Sequence, residues 1–172
     1  MIRLELATEA DHPEVIALTN RAYREAAGQT GWKVESLVAG QRIDESLLLE
    51  DLAQPGAVLL IGRDEDGGRV GHVRLDAGER AGWYLSMLTV DPARQDGGLG
   101  GALLAASEAY AKVRGAQWMQ MSVLHPRVEL IAWYGRRGYR VTGETKPFPY
   151  GDDRFGKPTR EGMYFEVLEK AL

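Results

Sequence analysis

Residues 85–102 read LSMLTVDPARQDGGLGGA. The first six form an apolar run suited to a buried strand, and four of the five positions from 97 to 101 are glycine. Glycine costs about 1 kcal/mol in a helix relative to alanine. Yet a helical stripe starts among these glycines: Leu99, Leu103, Ala106, Tyr110 and Val113 recur at steps of four, three, four and three. Glycines at such a junction clear side chains away from the first amides of the helix, which lack internal partners and carry the positive end of the macrodipole. The turn can then cradle a pyrophosphate. It can equally hold nothing, its glycines only letting neighbouring elements approach closely.

The spacing narrows the choice. A P-loop needs Gly-Lys-Ser/Thr after four intervening residues, and no lysine follows here. A dinucleotide fingerprint needs a third glycine where Leu103 stands, in an early strand–helix–strand unit, whereas several strands precede this one. The pattern Q-x-x-G-x-G is met by Gln95, Gly98 and Gly100.

Outward from this junction, Ile2, Leu4 and Leu6 alternate as in a half-buried strand, and Thr8 is an N-cap for a helix that Gly28 ends. Residues 34–56 read as helical pieces broken near Gly40. Residues 57–90 read as three strands joined by the turns DEDGG and DAGERAG. Beyond the glycine-led helix, which Gly115 closes, come a strand (AQWMQMSVL), a short helix (VELIAWYGRRG), a strand (YRVTGE), a loop rich in Pro, Gly and aromatics, and a last strand (GMYFEVLEK). This order predicts a single α/β domain over 1–172, a mixed sheet with helices on both faces.

Composition agrees with such a domain: 44% hydrophobic and 27% charged residues over 172 positions suffice for a core. A net charge of −4 offers no footprint for nucleic acid. The start of the chain lacks the pattern of a signal peptide, and no apolar run nears the ~20 residues of a membrane span, so neither nucleic acid nor membrane is an expected partner. With no cysteine, thiolate metal sites and a cysteine nucleophile are excluded, and a reducing, cytoplasmic setting is expected. No metal site is expected.

The stretch LTVDPARQDGGLGGALL, followed about thirty residues on by WYGRRGY as a Y-x-x-x-G-[FY] motif, resembles the GCN5-related N-acetyltransferase (GNAT) superfamily, an uncharacterised bacterial branch of it. The likeness in strand order extends over essentially the whole chain. It implies a mostly antiparallel sheet of six to seven strands with a splay between the fourth and fifth, LSMLTV and MQMSVL. It implies acetyl-CoA as co-substrate, bound by main-chain groups of Leu88, Thr89 and Val90 and by the amides of Gln95, Asp96, Gly97, Gly98, Leu99, Gly100, Gly101 and Ala102. It places Tyr134 beside the sulfur as general acid to the CoA thiolate, where the bland alternative is a packed phenol.

On the acceptor side the resemblance points to Glu25 as base, with Tyr23, Trp32, Tyr84 and Ser86 binding a small primary amine or amino acid derivative. Trp133, Phe148, Tyr150 and Phe155 add aromatic surface, and Glu35, Asp152 and Asp153 would favour a cation. His72 and His125 read as ordinary half-buried or surface residues. Three departures concern the cofactor: Gly97 replaces the family's basic residue, Asp96 stands beside it, and Arg127 replaces an asparagine and would meet the CoA arm or phosphate. Arg94 compensates only if it curls back. The alternatives to small-molecule acetylation are a non-catalytic acyl-CoA-sensing module and a protein N-terminal or lysine acetyltransferase. Homodimers are frequent on this fold, and nothing in the sequence decides for one.

Overall fold

The computed structural model describes residues 1–25 and 37–172. Its strands are β1 (Arg3–Leu6), β2 (Val38–Ala39), β3 (Ala57–Arg63), β4 (Arg69–Ala77), β5 (Gly82–Val90), β6 (Trp118–Leu124), β7 (Arg140–Pro147), β8 (Lys157–Pro158) and β9 (Tyr164–Ala171). The helices are α1 (His12–Asn20), α2 (Glu45–Leu52), α3 (Leu99–Val113) and α4 (Val128–Gly135). Seven strands make one sheet in the order β1-β3-β4-β5-β6-β9-β7, while β2 and β8 form a separate ribbon. Every pairing in the large sheet is antiparallel except β5 with β6. The mixed sheet with helices on both faces is as expected, and its seven strands meet the expected range.

Strand alternation sends side chains into two cores. Leu59 and Ile61 of β3, with Met87 of β5, meet Val15 of α1 and Leu47 and Leu48 of α2. On the other face Leu60, Val73, Leu75, Leu85, Met119, Met121 and Val123 pack against Leu104 and Ala111 of α3 and Tyr134 of α4.

Several expectations need correcting. The first helix is interrupted: Glu9–Asp11 is a 3₁₀ turn, α1 stops at Asn20, and Arg21–Glu25 widens into a π turn. The Thr8 N–H and hydroxyl both donate to the Asp11 carboxylate, so Thr8 caps the 3₁₀ turn rather than the α-helix. The Asn20 side chain accepts from the Arg42 and Ile43 amides at 2.7 and 3.0 Å, fastening the end of α1 to the chain that leads into α2. Val38–Ala39, expected as part of a helical piece, is a strand paired with Lys157–Pro158. On α3 the buried face is Leu103, Leu104, Ser107 and Ala111, whereas Val113, at the last turn, is 83% exposed. The ribbon was not legible because two-residue strands have no periodicity.

Among the described residues no helix is long and apolar enough to cross a membrane. Among them, too, no group of three or more metal-ligating side chains gathers.

Candidate functional site

The two parallel strands at the centre of the sheet separate. β5 and β6 pair only at Gly82–Trp118, Trp83–Met119 and Tyr84–Gln120, and from Leu85 onward the facing edge of β5 has no strand partner. A bulge on the other edge of β5 accounts for the divergence. Arg74 faces Ser86 and His72 faces Thr89, so Met87 and Leu88 together oppose Val73. Met87 takes φ 53°, a left-handed conformation that costs a non-glycine residue about 1 kcal/mol or more. Just beyond, β4 closes tightly on β5: a Cβ on Gly71 would stand 1.9 Å from the Thr89 carbonyl oxygen, so only glycine fits. The β5 end is thereby drawn toward β4 and away from β6. Across the gap the Tyr84 hydroxyl and Ser122 Oγ share a hydrogen bond, with the Lys146 ammonium 4.4 Å over the Tyr84 ring.

The gap is a cleft of about 670 Å³. At one end lies the start of α3. Asp91 accepts from the Ala93 amide and starts a 3₁₀ turn over Pro92–Gly97. Gly98, at φ 70°, then begins α3 and, as a glycine, brings no capping side chain of its own. The first intrahelical bond runs from the Ala102 N–H to the Gly98 carbonyl at 3.1 Å, so the amides of Leu99, Gly100 and Gly101 precede the helical ladder. Gly98, Gly100 and Gly101 line the cleft. The glycines also serve packing: a Cβ on Gly101 would sit 3.2 Å from the Arg137 guanidinium.

Arg137 is the residue that sequence reasoning missed. Its guanidinium stacks 3.6 Å from the Trp133 ring centroid, donates to the Trp133 carbonyl at 3.0 Å and lines the cleft beside the glycines. It brings from the turn after α4 the positive charge expected just before the first glycine. The second arginine of WYGRRGY was the signal. Arg94 does not curl back; it bonds the Asp64 carboxylate at 2.7 Å and the Arg69 carbonyl at 2.9 Å. Arg137→Ala is expected to weaken acetyl-CoA binding about tenfold at low salt and less at high salt, read by calorimetric titration at two ionic strengths.

Deeper in the cleft, Tyr134 of α4 is 7% exposed and its ring packs edge-on against Trp133 and Tyr139. Its hydroxyl bonds no described residue. Burial first, then the neighbouring Tyr23, pushes its phenol well above the usual range, with Arg127 and Arg137 pulling weakly the other way. Tyr23 reaches over β5, its hydroxyl donating to the Leu88 carbonyl at 3.3 Å. Leu88, Thr89, Val90, Tyr84, Ser86 and Arg127 all line the same cleft. Thr89 spends its hydroxyl on the Met87 carbonyl at 3.0 Å, so it steadies the bulge. Ser86 Oγ is buried and bonds no described residue.

Trp32 and Glu35 lie outside the described residues, as do the side chains of Glu25, Gln95 and Asp96. Asp152 is engaged by Arg154 at 3.0 Å and does not line the cleft. Of the loop aromatics, Phe148 and Phe155 line the cleft, whereas the Tyr150 hydroxyl donates to the Arg160 carbonyl at 2.8 Å and accepts from the Met163 amide, pinning the loop. His125 is an ordinary residue, stacked on Tyr164 and taking that residue's amide proton on Nδ1.

His72 is a correction. It is wholly buried, Nε2 sits 2.7 Å from the Thr19 hydroxyl, and Nδ1 has no partner among the described residues. Burial, aided by Arg69, holds its pKa down to about 3. An unfolded imidazole binds a proton near pH 6.5, so the folded state loses stability as pH falls from there toward 3, at about 1.4 kcal/mol per pH unit for this group. Urea denaturation at pH 7 and pH 5 should show this loss, and a Thr19→Val, His72→Leu double variant should show less of it.

With the geometry in place, the chain can be set beside known proteins. The acetyltransferase (GNAT) family matches residues 13–139. No curated protein sequence matches the chain significantly. Among solved structures, a ribosomal-protein-alanine N-acetyltransferase from Brucella melitensis superposes with a TM-score of 0.68 at 22% identity, covering 99% of both chains. An IAA acetyltransferase from Bacillus cereus ATCC 14579 gives 0.69 at 15% identity over 100% of both. A GNAT acetyltransferase from Elizabethkingia anophelis, solved with acetyl-CoA bound, gives 0.66 at 14% identity over 99% of this chain and 98% of that one. At such identities the structures speak for the fold, while the family match covers well over half of the sequence. The chain belongs to the GNAT acetyltransferase family.

Proposed function

We propose that this protein is an acetyl-CoA-dependent N-acetyltransferase that acts on a primary amine of a small molecule by direct attack in a ternary complex. The observation that carries the reading is the β6-facing edge of β5 from Leu85 to Thr89, which no described strand pairs, lying between the glycine-led start of α3 and Tyr134 within one cleft. The amides of Leu99, Gly100 and Gly101, with Arg137, would hold the pyrophosphate. The backbone of Leu88 and Val90 would orient the pantetheine arm and donate to the thioester oxygen. Acetyl-CoA supplies an activated thioester, whose C–S bond breaks as the C–N bond to the amine forms.

Tyr134 would supply a proton at the sulfur. A phenol raised by burial stays protonated across the physiological range and so remains a donor. Its lack of a bond to any described residue supports a catalyst over a sensing module. The amine's proton would leave by way of water and the hydroxyls of Ser86 and Tyr84. A small acceptor is favoured because the β2–β8 ribbon joins the chain ahead of α2 to the loop ahead of β9, beside Leu37, Val38, Phe148 and Phe155 at the acceptor end.

The test is calorimetric titration with acetyl-CoA, followed by free-thiol release with a panel of amines. Micromolar binding and amine-dependent release are expected; no heat with either acetyl-CoA or CoA would end the reading.

A further inference from the structure

The acceptor end of the cleft carries positive charge that no described residue neutralises. Arg24, on the π turn, Arg42, ahead of α2, and Arg127, at the N-cap of α4, converge from three elements and all line the cleft. None of the three has an ion pair among the described residues. Arg24 is the most committed: it donates to the Phe155 carbonyl at 3.0 Å and to the Tyr23 carbonyl at 3.4 Å, while its Nε is buried with no partner. The Arg42 guanidinium lies 5.7 Å from the centroid of the Tyr23 ring. Burial, then repulsion from Arg42 and Arg127, lowers Arg24 to about 10.

The described carboxylates that line the same cleft are already spent. Asp51 and Asp76 both bond Arg74, at 2.9 Å each. The positive ends of Arg24, Arg42 and Arg127 therefore face the cleft without a counter-charge among the described residues, at a cost in desolvation and mutual repulsion. An anion relieves that cost.

We propose that the acceptor carries an anionic group, a carboxylate or a phosphoryl-type oxyanion, which Arg24, Arg42 and Arg127 bind while its amine points toward the thioester. The substrate class is thus an amino acid or an analogue of one. This narrows the sequence-based expectation of a small primary amine or amino acid derivative to the latter, and it rests on the acetyltransferase reading above. Tyr23 ties the two halves together: its hydroxyl touches the Leu88 carbonyl in the splay, and its carbonyl and ring meet the two arginines.

The experiment compares glycine, methionine, phenylalanine and glutamate with their own α-amides, by calorimetric binding to the protein saturated with CoA and by thiol release with acetyl-CoA. At least one acid should exceed its amide by roughly 10- to 100-fold in affinity and in kcat/KM. Arg24→Met and Arg42→Met should each erase most of that preference while leaving acetyl-CoA affinity unchanged. Amides favoured or equal in every pair would overturn the inference. So would variants that weaken acetyl-CoA binding but not the preference, since the arginines would then serve the nucleotide. Failure of acetyl-CoA to bind is separate: it removes the acetyltransferase reading itself, and an acid-over-amide preference in calorimetry without CoA would still stand as evidence for the anion site.

Discussion

Gly100→Glu is expected to reduce acetyl-CoA affinity at least 100-fold while the protein stays folded. A Cβ at this position meets only the Trp133 ring, at 3.6 Å, an ordinary contact, and the backbone there is not left-handed. The substitution therefore tests the cradle without straining the turn, which a change at Gly98, with φ 70°, would do. The new carboxylate would occupy the place proposed for the pyrophosphate and repel it. It would also compete for the Leu99 and Gly101 amides and for Arg137. Losing two charge-assisted hydrogen bonds at about 1.5–3 kcal/mol each accounts for the factor. Gly100→Ala, which adds the contact but no charge, should bind nearly as the parent does. Calorimetry on both, with thermal melts to confirm folding, makes the comparison. Equal binding by the Glu variant would show that these glycines serve packing alone.

Tyr134→Phe is expected to lower kcat by about 10²–10³-fold with little change in the KM for acetyl-CoA. Phenylalanine keeps the ring and its edge-on contacts with Trp133 and Tyr139, so packing is preserved and only the proton is lost. The pH profile provides an independent readout. Because burial raises this phenol, it stays protonated as pH rises, and the parent enzyme should show no descending limb from Tyr134 below about pH 10. The ascending limb would belong to the acceptor amine, which must lose its proton to attack. An unchanged kcat in the variant would reduce Tyr134 to a core residue.

Local pattern alone identified the strand–glycine–helix junction and the strands on either side of it, whereas the second motif around Tyr134 was recognised through the family resemblance. Each depends on residues near one another in the chain: alternation sets a strand's faces, and a run of glycines exposes amides wherever a helix starts. The amides proposed for the pyrophosphate rest on the same local reasoning, since main-chain amides are placed by backbone shape, whereas the proposed contacts of Leu88, Thr89, Val90 and Tyr134 came from the resemblance. The divergence of β5 from β6 was expected only through the family resemblance. Its local causes, the Met87–Leu88 bulge and the close approach at Gly71, depend on a neighbouring strand.

What tertiary structure alone decided is the electrostatics of the cleft. Arg94 lies next to the glycines in sequence but is taken by Asp64, thirty residues away, whereas Arg137 reaches the same glycines from the turn after α4. Of the carboxylates expected to attract a cation, Asp152 is paired with Arg154, Asp153 does not line the cleft, and Glu35 and the Glu25 side chain lie outside the described residues. Arg24, Arg42 and Arg127 meet only because α1 ends in a π turn and the chain ahead of α2 is fastened to Asn20. Backbone shape follows from short-range sterics and hydrogen bonding, which one stretch of sequence contains. The net field at a site is a sum over side chains brought from distant segments, and only the folded chain sets its sign.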